Sequence, residues 1–342
     1  MTVATLHPAY FALVMATGIV SIASQLTGLQ LVAQTLFVLN IAFYIGLCVL
    51  TAVRVIRYRQ RVVEDMLDHG RSVGFFTTVA GTCVLGSQFL LIAGSWLAGA
   101  ALWVLGTALW ALITYAVLTI LTVKASKPEL AQGINGGWLL PVVAAQSVAV
   151  LGTQLAPGFA AYEGHVLFFC LCMWLGGGML YIWIISLIFY RYTFFPLLPS
   201  ELAPPYWINM GAVAISTLAG ALLVIAAPAS PVLTSLLPFL KGLSLLFWST
   251  ATWWIPMLVI LGAWRHVSQR FPFKYDPLYW GAVFPLGMYT VCTLRLSQAL
   301  DIPWLFRFAD KFVFVALLAW IIVAVQWVAM LARRSNPASK PA

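Results

Sequence analysis

Acidic side chains are almost missing from this sequence. It has nine Asp and Glu among 342 residues, and none of them lies deep inside a long apolar run. Charged residues of both signs make up 8% of the chain, against about 25% in a soluble domain. That excludes an ordinary soluble fold. A hydrophobic content of 63% points instead to an all-α polytopic membrane protein, a single transmembrane domain over residues 1–342. The alternating segments of ~10 residues that mark a β-barrel are missing too. No GxxxxGK[ST] motif is present, so no ATP site is expected and any transport is passive or ion-coupled. The cysteines Cys48, Cys83, Cys170, Cys172 and Cys292 make no CxxC pattern and read as free thiols in apolar segments. His7, His69, His165 and His266 lie at span ends or in loops, which argues against haem or a metal centre. No cofactor is expected. The N-terminus has no basic stretch before a short apolar core and does not read as a cleaved signal peptide.

What is abundant is apolar sequence. Ten segments, approximately 9–26, 31–53, 73–94, 97–123, 137–155, 163–190, 207–228, 238–263, 277–299 and 309–332, are long enough to span a membrane. Basic residues alternate across the loops between them. Fourteen of the eighteen Lys and Arg fall after the even spans, from Arg54 to Lys340. The positive-inside rule then places both termini in the cytoplasm. The net charge of +9 is thus a matter of topology, and no nucleic-acid partner is expected.

The odd spans differ from the even ones. They are rich in Gly, Ala, Ser and Thr, as in MATGIVSIAS and MGAVAISTLAGA, whereas even spans carry bulk, as in VALLAWIIVAVQWV. Small residues let helix backbones approach closely. An inner layer of odd helices and an outer layer of even ones follows, with a helical hairpin repeated five times. Pro141 and Pro285 read as internal kinks of spans five and nine. Thr17, Ser21, Ser87, Gln88 and Gln146 are polar groups at membrane depth and read as candidates for a polar path.

Two cations, Lys241 and Arg295, sit within otherwise apolar spans. Ionisable groups at such depth tend to face a cavity and mark the route of a solute. Positive groups without negative ones favour anions. Both cations lie toward the outer end of their spans, so each reads either as part of an anion vestibule or as an interfacial anchor. Arg295 is read as lying one face away from Phe284 on span nine.

The segments 11–23 (FALVMATGIVSIA), 70–89 (GRSVGFFTTVAGTCVLGSQF), 248–256 (WSTATWWIP) and 277–297 (PLYWGAVFPLGMYTVCTLRLS) resemble the tellurite-resistance/C4-dicarboxylate transporter family. That family includes plant slow-anion channels and yeast malate and sulfite carriers. The resemblance implies ten helices in five hairpins around a pseudo-five-fold central pore, and a homotrimer with one pore per subunit. It implies that Phe284 blocks the pore. It also implies passage of small anions, dicarboxylates such as malate or oxyanions such as sulfite and tellurite, across an inner membrane. The contrasting reading is a membrane-embedded enzyme built on Glu64, Asp65, Asp68 and His69. A solvated loop balancing its arginines is the simpler reading of that cluster, and no enzymatic activity is expected.

Overall fold

The computed structural model describes residues 2–273 and 275–335. Among the described residues there is no β-strand, and ten α-helices reach 15 residues or more. They are α1 (Ala12–Leu26), α2 (Gln30–Arg57), α3 (Phe76–Leu91), α4 (Trp96–Val123), α5 (Leu140–Leu155), α6 (Glu163–Phe194), α7 (Ile208–Ala226), α8 (Leu237–Ala263), α9 (Trp280–Leu300) and α10 (Pro303–Ser335). Eight segments of the described chain are long and apolar enough to cross a membrane. One of them, Gly136–Phe194, contains both α5 and α6, which a 3-10 segment with Ala160 at φ 48° separates. The Arg295-bearing α9 is not among the eight.

The odd helices pack in a closed cycle, α1 on α3, α3 on α5, α5 on α7, α7 on α9, and α9 back on α1. Each even helix packs on the odd helix before it and also on the next one. Burial follows this division. The apolar windows of α1, α3 and α7 are 89%, 78% and 89% buried, while those of α2, α4, α8 and α10 are between 17% and 22% buried. The odd helices are therefore the core, and the even helices present their bulk to the surroundings.

Glycine permits the tight inner ring. A Cβ on Gly287 of α9 would lie 2.8 Å from Ile19 Cγ2 of α1, and one on Gly211 of α7 would lie 2.7 Å from Pro285 Cγ of α9. Real carbon atoms do not come so close, so these contacts need glycine.

Every odd helix is preceded by a 3-10 turn: Pro8–Phe11, Ser72–Phe75, Gly136–Leu139, Pro204–Trp207 and Pro277–Tyr279. Three of the turns begin with proline, whose fixed φ and missing N–H suit a helix start. His7, Asn135 and Asp276 cap three of them by accepting from the N–H of Ala9, Gly137 and Leu278. The five turns also touch in cyclic order.

Pro285 is interior to α9. Pro141 corrects the reading of an internal kink, because it sits in the first turn of α5. There the backbone N–H has no intrahelical acceptor to lose, so proline begins the helix without bending it.

Candidate functional site: a path along the inner ring

Two cavities lie on the line enclosed by the odd helices. The narrower is lined by Ile19, Ile22 and Leu26 of α1, Cys83, Val84, Ser87 and Leu91 of α3, and Ser147, Val150 and Gln154 of α5. Ile215 and Leu218 of α7 and Met288, Val291 and Arg295 of α9 complete it. All five odd helices contribute, and no even helix does. Its volume is about 20 Å³, room for roughly one water. The wider cavity, about 410 Å³, is bounded at the other end of the ring by residues of all five 3-10 turns or their immediate flanks, among them His7, Gly74, Gly137, Pro205 and Leu278.

Phe284 of α9 lines neither cavity but falls in the chain between residues that do. Leu278, six residues before it, lines the wide chamber, and Met288, four residues after it, lines the narrow one. Its ring is buried, 1% exposed. Positions 284, 288, 291 and 295 follow the i, i+4, i+7, i+11 spacing of one helix face. This corrects the reading that set Arg295 one face away. Eleven steps of about 100° return to within roughly 20° of the start, so Phe284 and Arg295 share a face.

Polar groups at the narrow cavity are few. Ser87 Oγ donates to Gln154 Oε1 at 2.9 Å, joining α3 to α5. With its carbonyl oxygen engaged, the Gln154 amide keeps its N–H groups as donors. Arg295 is half-buried and donates through Nη1 to Gln298 Oε1 at 2.8 Å. No Asp or Glu lines this cavity.

Of the polar side chains expected along the path, Ser87 lies at the cavity and the other four hold the two rings together. Thr17 Oγ1 accepts from Trp320 Nε1 of α10 at 3.0 Å. Ser21 Oγ donates to the carbonyl of Ala33 on α2 at 2.7 Å. Gln88 Oε1 accepts from Asn40 Nδ2 of α2 at 2.6 Å, and Gln146 Nε2 donates to the carbonyl of Trp174 on α6 at 3.0 Å. Lys241 is half-buried on the outer helix α8 and is not among the residues lining the cavity with Arg295. Ser147 and Gln154 escaped the sequence reading. Their seven-residue spacing, two turns along one face of α5, is the signal that marks them, and Gln146 points about 100° away from Ser147.

The wide chamber is electrically quiet. Its Arg191 and Glu201 pair at 3.0 Å, and Arg191 also donates to the carbonyls of Ala131 and Pro196. Burial first, and then the positive charge of Arg71, push the His7 imidazole down to about 4. His7 therefore stands neutral at the chamber wall at physiological pH.

The acidic loop cluster is more structural than its sequence indicated. Asp65 is buried between two arginines, 2.6 Å from Arg54 Nη2 and 2.5 Å from Arg71 Nε. Asp68 accepts from the N–H groups of Gly70 and Arg71. The carboxylates of Asp65 and Asp68 are thus engaged in holding the loop rather than converging on a reaction centre.

A comparison with protein families matches residues 5–328 to the voltage-dependent anion channel (SLAC1) family. An uncharacterized transporter of Methanocaldococcus jannaschii is 28% identical over 289 residues, covering 82% of this chain and 81% of its own. A sulfite efflux pump of Trichophyton rubrum is 23% identical over 350 residues, covering 94% of this chain and 90% of its own. An uncharacterized membrane protein of Mycobacterium tuberculosis is 41% identical over 152 residues, covering 44% of this chain and 75% of its own.

Proposed function

The chain belongs to the voltage-dependent anion channel family, and on that footing we propose that it passes small anions along the axis of its inner helical ring. The observation that carries the reading is the narrow cavity, which all five odd helices line, with Arg295 in its wall and no carboxylate. A solute there meets one cation and the donors of Gln154, while a cation meets no counter-charge.

Phe284 is the gate. The reading is supported by its burial and by its place in the chain between Leu278 of the wide chamber and Met288 of the narrow one, on the same face of α9 as Met288, Val291 and Arg295. A hydrophobic constriction stops ions by excluding the water they carry. With room for about one water beyond it, the conformation described here is closed. Arg295 draws anions in. Lys241 acts at longer range from the outer ring. Pro285, beside the gate, leaves the carbonyl four residues earlier without its usual partner and gives the helix a place to bend.

The substrate is a small oxyanion or a dicarboxylate such as malate. The alignment with a fungal sulfite efflux pump over 94% of the chain favours sulfite as the specific case. The protein sits in the inner membrane with both termini in the cytoplasm, as the basic loops indicate, and works as a homotrimer with one path per subunit. The experiment is flux in proteoliposomes with chloride, nitrate, malate and sulfite compared, with and without a pH gradient. Uptake of at least one anion above protein-free vesicles supports the reading, and a protein impermeant to all four in both wild-type and Phe284→Ala form overturns it.

A further inference from the structure

Among the described residues three arginines are buried to nine-tenths or more: Arg54, Arg191 and Arg265, at 4%, 2% and 8% exposure. The first two are ion-paired, with Asp65 and Glu201. Arg265 is different. All nine Asp and Glu of the sequence lie among the described residues, and none is within ion-pair distance of it. Its guanidinium lies over the Phe271 ring, 4.4 Å from the centroid, with the Tyr279 hydroxyl beside it, and its Nε has no hydrogen-bond partner. A buried cation without a counter-ion is unfavourable and calls for an anion.

The surroundings supply a place for one. Arg265 lines a cavity of about 220 Å³ together with Leu258, Leu261, Trp207, Phe273 and Tyr279. It stands in a π-helical turn, Trp264–Ser268, that follows α8, an irregularity often found at functional sites. The pocket lies at the end of the bundle that carries the basic loops. One wall is made by Leu258, Leu261 and Gly262 of α8, and the adjoining faces of that helix carry the exposed apolar side chains Val259 and Ile260, at 54% and 63%. Trp and Tyr are at home at headgroup level.

We infer that this pocket binds a phosphate group, that of an anionic lipid headgroup, with the guanidinium of Arg265 as its counter-ion and the acyl chains running along α8. The site is separate from the axial path and does not depend on what that path conducts. It nevertheless touches the wide chamber, because Ala203 and Tyr206 line both cavities. A lipid seated there braces the turn that begins α7.

The test is thermal melting of the full-length protein in detergent, followed by tryptophan fluorescence, with phosphatidylglycerol, phosphatidylcholine or sodium phosphate added. Phosphatidylglycerol is expected to raise the midpoint by several degrees, and phosphatidylcholine, which has no net charge, much less. Arg265→Gln is expected to abolish the shift while leaving the lipid-free midpoint equal to or above wild type. Gly262→Phe keeps the arginine and fills the pocket from α8, where a Cβ meets nothing within 4 Å, and is expected to abolish the shift as well. If sodium phosphate alone reproduces the shift, the phosphate group is the ligand and its source is soluble. A wild-type protein unmoved by phosphatidylglycerol and by phosphate, or variants that shift as much as wild type, would overturn the assignment.

Discussion

Trp320 Nε1 donates to Thr17 Oγ1 at 3.0 Å across 303 residues of sequence, and this bond ties the last long helix to the first. Four other bonds repeat it. Tyr44 of α2 bonds Thr82 of α3 at 2.9 Å, and Trp103 of α4 donates to the carbonyl of Val148 of α5 at 3.0 Å. Trp174 of α6 donates to the carbonyl of Ser216 of α7 at 2.8 Å, and Trp248 of α8 donates to Thr293 of α9 at 2.9 Å. Each outer helix thus reaches the inner helix of the next hairpin with at least one aromatic polar tip, and α4 and α6 add a second through Trp96 and Tyr181. An unmade bond at that depth has no water to replace it.

Trp320→Phe removes one such tie and keeps most of the ring's bulk. A loss of roughly 0.5 to 1.5 kcal/mol is expected, seen as a lower melting midpoint in detergent. Anion flux per folded molecule should stay at the wild-type level, because the bond lies between the rings.

Phe284→Ala is expected to open the proposed constriction. Anion flux in proteoliposomes should rise several-fold, while Phe284→Leu, which keeps an apolar plug, should rise less. Flux no greater than wild type in both variants would count against a gate at this position.

Arg295→Gln removes the cavity's cation and keeps a polar side chain. Anion flux through the open Phe284→Ala background should fall roughly three- to tenfold, about 1 kcal/mol of lost attraction at a partly hydrated site. Lys241→Gln, away from the cavity, should change it by less than a factor of two.

Asp65→Asn leaves Arg54 and Arg71 without their shared carboxylate. Removing one partner of a buried ion pair costs about 3 kcal/mol or more. Glu64→Gln, whose partner Arg61 is exposed with it, should cost next to nothing. Chemical denaturation of the two variants side by side separates these outcomes.

His7 gives the fold a pH dependence with a definite sign. Its Nδ1 accepts from the Ala9 N–H at 3.1 Å, so protonation there breaks the cap. The imidazole titrates at about 4 in the folded protein against 6.5 when free. The unfolded chain therefore binds the proton more tightly, and stability falls as pH drops from about 6.5 to about 4, with an upper limit of roughly 3 kcal/mol. His7→Asn, which can cap without titrating, should flatten that part of the pH profile of melting.

The two-layer architecture was legible because composition differs between odd and even spans, and packing density depends on composition. Gly287 against Ile19 is the physical form of that signal. The path was less legible, for the opposite reason. Polar residues at membrane depth were read as facing a conduit, yet Thr17 and Ser21 lie on the side of α1 away from Ile19, Ile22 and Leu26. Polar groups in a bilayer are as much needed to fasten one helix to another as to line a channel. The narrow cavity is mostly aliphatic, so helix phase, and not polarity, distinguishes its lining from its fastenings. Nothing in the sequence separates Arg265 from the other basic residues that follow the even spans, since its burial depends on the chain folding back through Phe271 and Tyr279.

The central claim is that the inner ring is a path for anions. The most direct measurement is the reversal potential of Phe284→Ala channels in a planar bilayer under a potassium chloride gradient. An anion path with Arg295 in its wall gives a reversal close to the equilibrium potential of chloride, and Arg295→Glu moves it toward that of potassium. A reversal at the potassium potential with Arg295 in place, or currents that ignore the charge at this position, would contradict it.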